Sequence, residues 1–123
     1  MSTSANTFSS TAALLAAHCQ PRTTTLDPAS LQRLLPLVPG WAIDDGTLWR
    51  DFGFANYYQT LAFVNALAYL THAQDHHPEL TVTYKNCRVS YATHSVNQGQ
   101  GGLSPNDFIC AAKASALLPD GAA

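Results

Sequence analysis

The sequence predicts an α+β fold: a four-stranded antiparallel sheet made of two hairpins, with three helices packed on one face. Three observations lead there. Two pairs of β-rich runs are each joined by a turn pair, Asp45-Gly46 in the first and Lys85-Asn86 in the second. Between the hairpins stands one long run of helical periodicity, Tyr57 to Asp75. Two more helix starts, Asp27-Pro28 and Ser104-Pro105-Asn106-Asp107, lie before the first hairpin and after the second. A sheet built from hairpins buries one face, and helices of this number supply the layer that covers it.

Residues 1–25 are rich in Ser, Thr and Ala without sustained periodicity, so a mobile tail is expected, with at most a short helical turn at Ala12–His18. One domain is expected over 26–118 and a second tail over 119–123. In the first helix Asp27 is the N-cap, Pro28 takes the first helical position, and Leu31, Leu34 and Leu35 form the apolar stripe. Pro36 and Pro39-Gly40 end it. Trp41–Ile43 and Leu48–Phe54 read as strands, with Leu48, Arg50, Phe52 and Phe54 on one face. Asn56 with Gln59 resembles a capping box. In the helix that follows, Phe63, Leu67 and Leu70 recur at i, i+4, i+7. Leu80–Tyr84 and Arg88–Thr93 make the second hairpin, and the loop from Val96 to Gly102 carries Gly99, Gly101 and Gly102. In the last helix Ser104 caps, Pro105 is first, and Asp107 at N3 accepts from the cap amide. Phe108, Ala111, Ala112, Ser115 and Ala116 give that helix a face of mostly small residues for close packing.

Composition narrows the function. The chain has 123 residues, 46% of them hydrophobic, which suits one domain with a real core. With six Lys and Arg and a net charge of −2 it has no basic patch for a phosphate backbone, which argues against direct nucleic-acid binding. Charged residues are only 11%, so part of the surface is expected to be covered by oligomerisation. Cys19, Cys87 and Cys110 are odd in number and lack paired spacing, which points to reduced thiols in a cytoplasmic protein. No apolar run reaches the length of a membrane span, and no Lys or Arg precedes Ala12–Ala17, which argues against a secretory signal.

The chemistry concentrates at Asp75-His76-His77-Pro78, where the long helix must stop because Pro78 has no amide hydrogen and holds His77 out of the helical region. His72 and His76 are four apart and would share a helix face, and the second hairpin can return His94 beside His76 and His77. Three readings stand: imidazoles that move protons in a pocket; a zinc set of His72, His76 and His94, although Ala73 stands where zinc hydrolases place a Glu; or surface histidines favoured by a helix C-terminus. Asp75 would orient a neighbouring imidazole or bind a polar substrate group.

These residues resemble the pterin-4a-carbinolamine dehydratase family. The signature is carried by His72, His76-His77-Pro78, Tyr84, His94 and Asp107, with supporting matches at Pro39-Gly40-Trp41, Thr93-His94 and Gly102-Leu103-Ser104. The resemblance covers about Leu26 to Leu118 and implies a four-stranded antiparallel sheet with three helices, in homodimers or homotetramers. It implies a hydro-lyase that removes water from 4a-hydroxytetrahydropterin to give quinonoid dihydropterin, in recycling of the tetrahydrobiopterin used by aromatic amino acid hydroxylases. No metal and no organic cofactor is implied, the pterin being the substrate. By position, His76, His77 and His94 correspond to the catalytic histidines, Asp75, Thr93 and Ser95 to substrate contacts, and Trp41 to an aromatic near the pterin. His72, Asp107 and Pro78 are supporting positions. Two departures stand out: His72 replaces the carboxylate of many members, and the loop Ser95–Gly102 is longer than in the shortest. Relatives also act without catalysis, as a dimerisation partner of a transcription factor or as a RuBisCO assembly factor, so a protein partner is the alternative expectation.

Overall fold

A computed structural model of the protein describes residues 8–118; the segments 1–7 and 119–123, assigned to the two tails, lie outside the described residues. The elements in chain order are α1 (Thr11–Ala16), α2 (Pro28–Leu34), a 3₁₀ turn (Leu35–Leu37), β1 (Ala42–Asp44), β2 (Thr47–Gly53), α3 (Tyr57–Gln74), β3 (Glu79–Val82), β4 (Asn86–Tyr91), a second 3₁₀ turn (Asn97–Gly99) and α4 (Pro105–Ser115). The strands form one antiparallel sheet in the order β1-β2-β4-β3. The two hairpins therefore join through their second strands, in a register that pairs Leu48 with Tyr91 and Phe52 with Cys87.

The first hairpin closes where the sequence places it. Asp44 pairs with Thr47 across a two-residue loop, and both Asp45 (φ 50°) and Gly46 (φ 78°) take the positive φ that a type I′ turn demands. The second turn sits one residue earlier than expected, on Tyr84-Lys85, with Thr83 N–H donating to Asn86 O at 2.8 Å. Tertiary contacts hold it there. Thr60 Oγ1 donates to Tyr84 O at 3.0 Å and Phe54 N–H to Lys85 O at 2.8 Å, and the Tyr57 and Tyr84 rings stack.

The period-2 pattern of the central strands points Leu48, Arg50 and Phe52 of β2, and Cys87, Val89 and Tyr91 of β4, into the core. Arg50 is admitted among them because its guanidinium lies over the Phe52 ring and donates to Ser115 Oγ at 2.9 Å, an oxygen that also accepts from Trp41 Nε1 at 2.8 Å. The opposite face is polar: Arg88 grips Asp51 with two hydrogen bonds and lies over Trp49. α4 is the central helix. Phe108, Ile109, Cys110, Ala111, Ala112 and Ala114 are all buried, because the helix packs on β2 and β4, on α3 and on α1.

The expected N-terminal tail is corrected over residues 8–25. Ser10 caps α1, Leu14 is fully buried, and Lys113 of α4 donates to Leu15 O at 2.7 Å. The cause is α4 itself: the side of it turned away from the sheet is apolar, and one leucine seated on it outweighs the weak helix signal of the Ser/Thr-rich segment. Gly102 fixes where this segment joins the domain, since a Cβ there would lie 2.8 Å from Thr25 Cγ2. Leu26 N–H then donates to Leu103 O at 2.9 Å. No helix among the described residues is long and apolar enough to cross a membrane.

Candidate active site

The site is made by the way α3 ends. Gln74 is its last residue, and Asp75 takes the left-handed conformation (φ 52°, ψ 43°) with its N–H on His72 O. Asp tolerates that region better than most residues. The reversal lifts His76 and His77 off the helix, and Pro78 leads them into β3 as extended chain. His76 and His72 therefore do not share a helix face. His72 stays exposed on α3 outside the cavity, so the set His72, His76 and His94 is not assembled, and no group of three or more metal-ligating side chains converges among the described residues.

His76 is carried to the first turn of α4. Its Nε2 lies 2.7 Å from Asp107 Oδ1, and its ring stacks on Tyr91 at 5.8 Å with 9° between the planes. Asp107 is fully buried and each of its oxygens is engaged. Oδ2 accepts from the Ser104 amide at 2.9 Å, completing the capping box, and from Thr93 Oγ1 at 2.8 Å. Burial pushes the His76 imidazole toward its neutral form, but the hydrogen bond and charge of Asp107 outweigh it and hold its pKa above the ordinary histidine value. The orienting carboxylate is thus Asp107. Asp75, the expected candidate, lines the cavity and adds only a smaller charge effect on His76.

His77 and His94 are both exposed, with ring centroids 5.7 Å apart and 26° between the planes. They face the same cavity as His76, a cleft of about 350 Å³ that Asp75, Thr93 and Ser95 also line. The hairpin geometry expected for His94 is what joins them. Thr93 and Ser95 are turned partly to structural tasks: Thr93 is buried against Ser104 Oγ and Asp107, and Ser95 Oγ donates to Arg22 O at 2.8 Å.

Trp41 is not in the cleft. It is buried in the core against Phe52 and Tyr91, so Tyr91 separates it from His76. Neither Pro78 nor Tyr84 lines the cleft; Pro78 acts through the backbone and Tyr84 packs on Tyr57. Sequence reasoning missed the other wall. Cys19, Gln20, Pro21 and Arg22 line it, with Gln74 and Asn106 behind them. No periodicity or motif marked these residues, although Arg22 is the first cation of the chain. Cys19 Sγ is 3.4 Å from Cys110 Sγ. The hydrogen bond from Cys110 lowers the Cys19 thiol, with burial opposing, and the Cys110 thiol is raised by that same contact and by burial.

Comparison with known proteins identifies relatives of this chain. The family model described as Pterin 4 alpha carbinolamine dehydratase matches residues 24–117. A protein of Bdellovibrio bacteriovorus, named "Putative pterin-4-alpha-carbinolamine dehydratase", is 50% identical over 104 residues, covering 85% of this chain and 87% of that one. A protein of the same name from Xanthomonas campestris pv. campestris is 53% identical over 110 residues, covering 85% and 90%. Among solved structures, a Brucella melitensis protein named "transcriptional coactivator/pterin dehydratase" superposes with a TM-score of 0.71 at 26% identity, over 78% of this chain and all of that one.

Proposed function

The chain belongs to the pterin-4a-carbinolamine dehydratase family, and from that premise we propose that it dehydrates 4a-hydroxytetrahydropterin, with 4a-hydroxytetrahydrobiopterin as the natural form, to quinonoid dihydropterin and water. The observation that carries the reading is the pairing of His76 with Asp107 beside the His77–His94 ring pair in one cleft. Dehydration needs a proton delivered to the departing 4a-hydroxyl and a proton removed from N5. The C4a–O bond breaks, the N5 electrons form the C4a=N5 bond, and water leaves. His76, protonated over a wider pH range than an ordinary histidine, is the acid. With Nε2 committed to Asp107, Nδ1 is the nitrogen that exchanges a proton with substrate. The His77–His94 pair is open to solvent and takes the N5 proton. Opposite tasks for imidazoles in differing environments are how such sites run at neutral pH. The chemistry calls for no metal or organic cofactor.

Leu80 and Val82 on the edge strand β3, and Tyr58 and Tyr69 on α3, are exposed, which supports a homodimer or homotetramer. The same surfaces suit a protein-assembly role, the second reading, which the coactivator name carried by the Brucella protein also supports. One experiment separates the two: the dehydration rate of freshly generated 4a-hydroxytetrahydropterin, for the wild type and for His76→Ala and His77→Ala. The enzyme reading expects acceleration by the wild type and a loss of roughly 10²-fold or more in each variant. A folded wild type no faster than buffer would leave the assembly role standing.

A further inference from the structure

We propose that Cys19 and Cys110 form a reversible redox pair: a peroxide entering through the cleft oxidises Cys19, and Cys110 then closes a disulfide that fastens the N-terminal segment onto α4. The inference does not depend on the reaction assigned to the cleft. Both cysteines are free thiols, and their Sγ atoms lie 3.4 Å apart. The two sulfurs are already in contact, so a bond of about 2 Å asks only for a small approach.

The two thiols differ in access, as such a pair requires. Cys19 is half-buried and lines the cleft, whereas Cys110 is fully buried in α4. An oxidant therefore meets Cys19 first. Cys19 is also held over its partner. Its N–H donates to Gln74 Oε1 at 2.8 Å, and its Sγ lies 3.7 Å from Asn106 O. Asn106 and Cys110 are four apart on α4 and share a face, the one on which Cys19 sits. The hydrogen bond from Cys110 lowers the Cys19 thiol against burial, and the charge of His76 adds to the lowering. The thiolate is the form that attacks peroxide. In the first step the Cys19 thiolate attacks a peroxide oxygen and the O–O bond breaks. Cys19 becomes a sulfenic acid, and the departing hydroxide takes up the proton Cys19 released. In the second, Cys110 Sγ attacks Cys19 Sγ, the S–O bond breaks, and the hydroxyl leaves with the Cys110 proton as water. Two thiols lose two electrons, and one hydrogen peroxide becomes two waters. A thiol reductant reaching Cys19 from the cleft reverses the bond and is itself oxidised to a disulfide. The crosslink spans 91 positions, and long spans restrict the unfolded chain most.

The test treats the full-length chain, Cys19→Ser and Cys110→Ser with hydrogen peroxide, alkylates the thiols that remain, and maps the products by peptide mass spectrometry with and without dithiothreitol. The wild type should lose two thiols together, yield a peptide linking Cys19 to Cys110 that dithiothreitol removes, and keep Cys87 as a thiol. The product should run as a single chain on a non-reducing denaturing gel. Cys110→Ser should stop at a Cys19 sulfenic acid, trapped with dimedone, and Cys19→Ser should lose its remaining thiols at least about tenfold more slowly than the wild type. The oxidised wild type should unfold at a higher urea concentration than the reduced form, and neither variant should show that rise. A wild type whose Cys19 is oxidised without linking to Cys110, or links between chains, overturns the pair. So does Cys19→Ser with Cys110 oxidised at the wild-type rate. A correct crosslink that lowers the urea midpoint overturns the clamp. Should Cys110→Ser fail to fold, Cys110→Ala replaces it, and the wild-type crosslink map decides the pair by itself.

Discussion

Asp107 Oδ1 lies 2.7 Å from His76 Nε2, while Oδ2 of the same carboxylate closes the N-terminal cap of α4. One buried side chain therefore starts a helix and sets the charge of an imidazole. Asp107→Asn keeps a side-chain oxygen for the cap but removes the charge that raises the His76 pKa. We expect the dehydration rate to fall by about 10²-fold, and stability by about 1–3 kcal/mol because buried donors lose part of their acceptor. Rate assays and urea unfolding on one preparation check both. A variant with full activity would show that Asp107 serves the fold alone.

The same pair makes stability depend on pH in a stated direction. The folded-state pKa of His76 is raised, so the folded chain binds its proton more tightly than the unfolded chain. The stabilisation is fully present below the unfolded histidine value of about 6.5 and is lost as pH rises through the folded value. Melting temperatures from pH 5.5 to 8.5 should show the wild type losing its advantage over His76→Gln toward the alkaline end. A difference constant with pH would contradict the charged pair.

Packing of residues 8–25 has its own test. Leu14 is fully buried against α4, so Leu14→Ala should cost about 2–5 kcal/mol, as for other buried leucines. Denaturant unfolding measures it. A change under half a kilocalorie would restore the mobile tail that composition suggests.

The thiols should react in order. Cys110 lowers the Cys19 thiol by hydrogen bonding, against burial, and its own thiol is raised. Cys19 also lines the cleft, whereas Cys87 and Cys110 are buried. Iodoacetamide followed by peptide mass spectrometry should find Cys19 alkylated first, and Cys110→Ala should slow that alkylation by returning Cys19 toward an ordinary thiol. Equal labelling of the three cysteines in the native protein would be the contrary result.

Most of the fold was legible because local signals agreed. The Asp45-Gly46 turn, the caps at Asp27, Asn56 and Ser104, and the inward alternation of Leu48, Arg50 and Phe52 each depend on residues within a few positions of one another. The second turn missed by one residue because Thr60 and Phe54, distant in sequence, decide where it closes. The resemblance implied Trp41 near the pterin; it lies buried in the core, where Ser115 satisfies its indole N–H.

The chemistry available is written in the residues: three imidazoles gathered by a helix that Pro78 must end and a hairpin that must return, and a carboxylate at the start of the last helix. The surroundings of those groups, and with them the shifted pKa of His76, come from long-range packing. A carboxylate in a capping box reads as a local device, and nothing in the residues near it says that its second oxygen reaches an imidazole 31 positions away. The wall formed by Cys19–Arg22 is likewise silent in the sequence. Its anchors are hydrogen bonds to side chains 55 to 86 positions distant, and such bonds have no period.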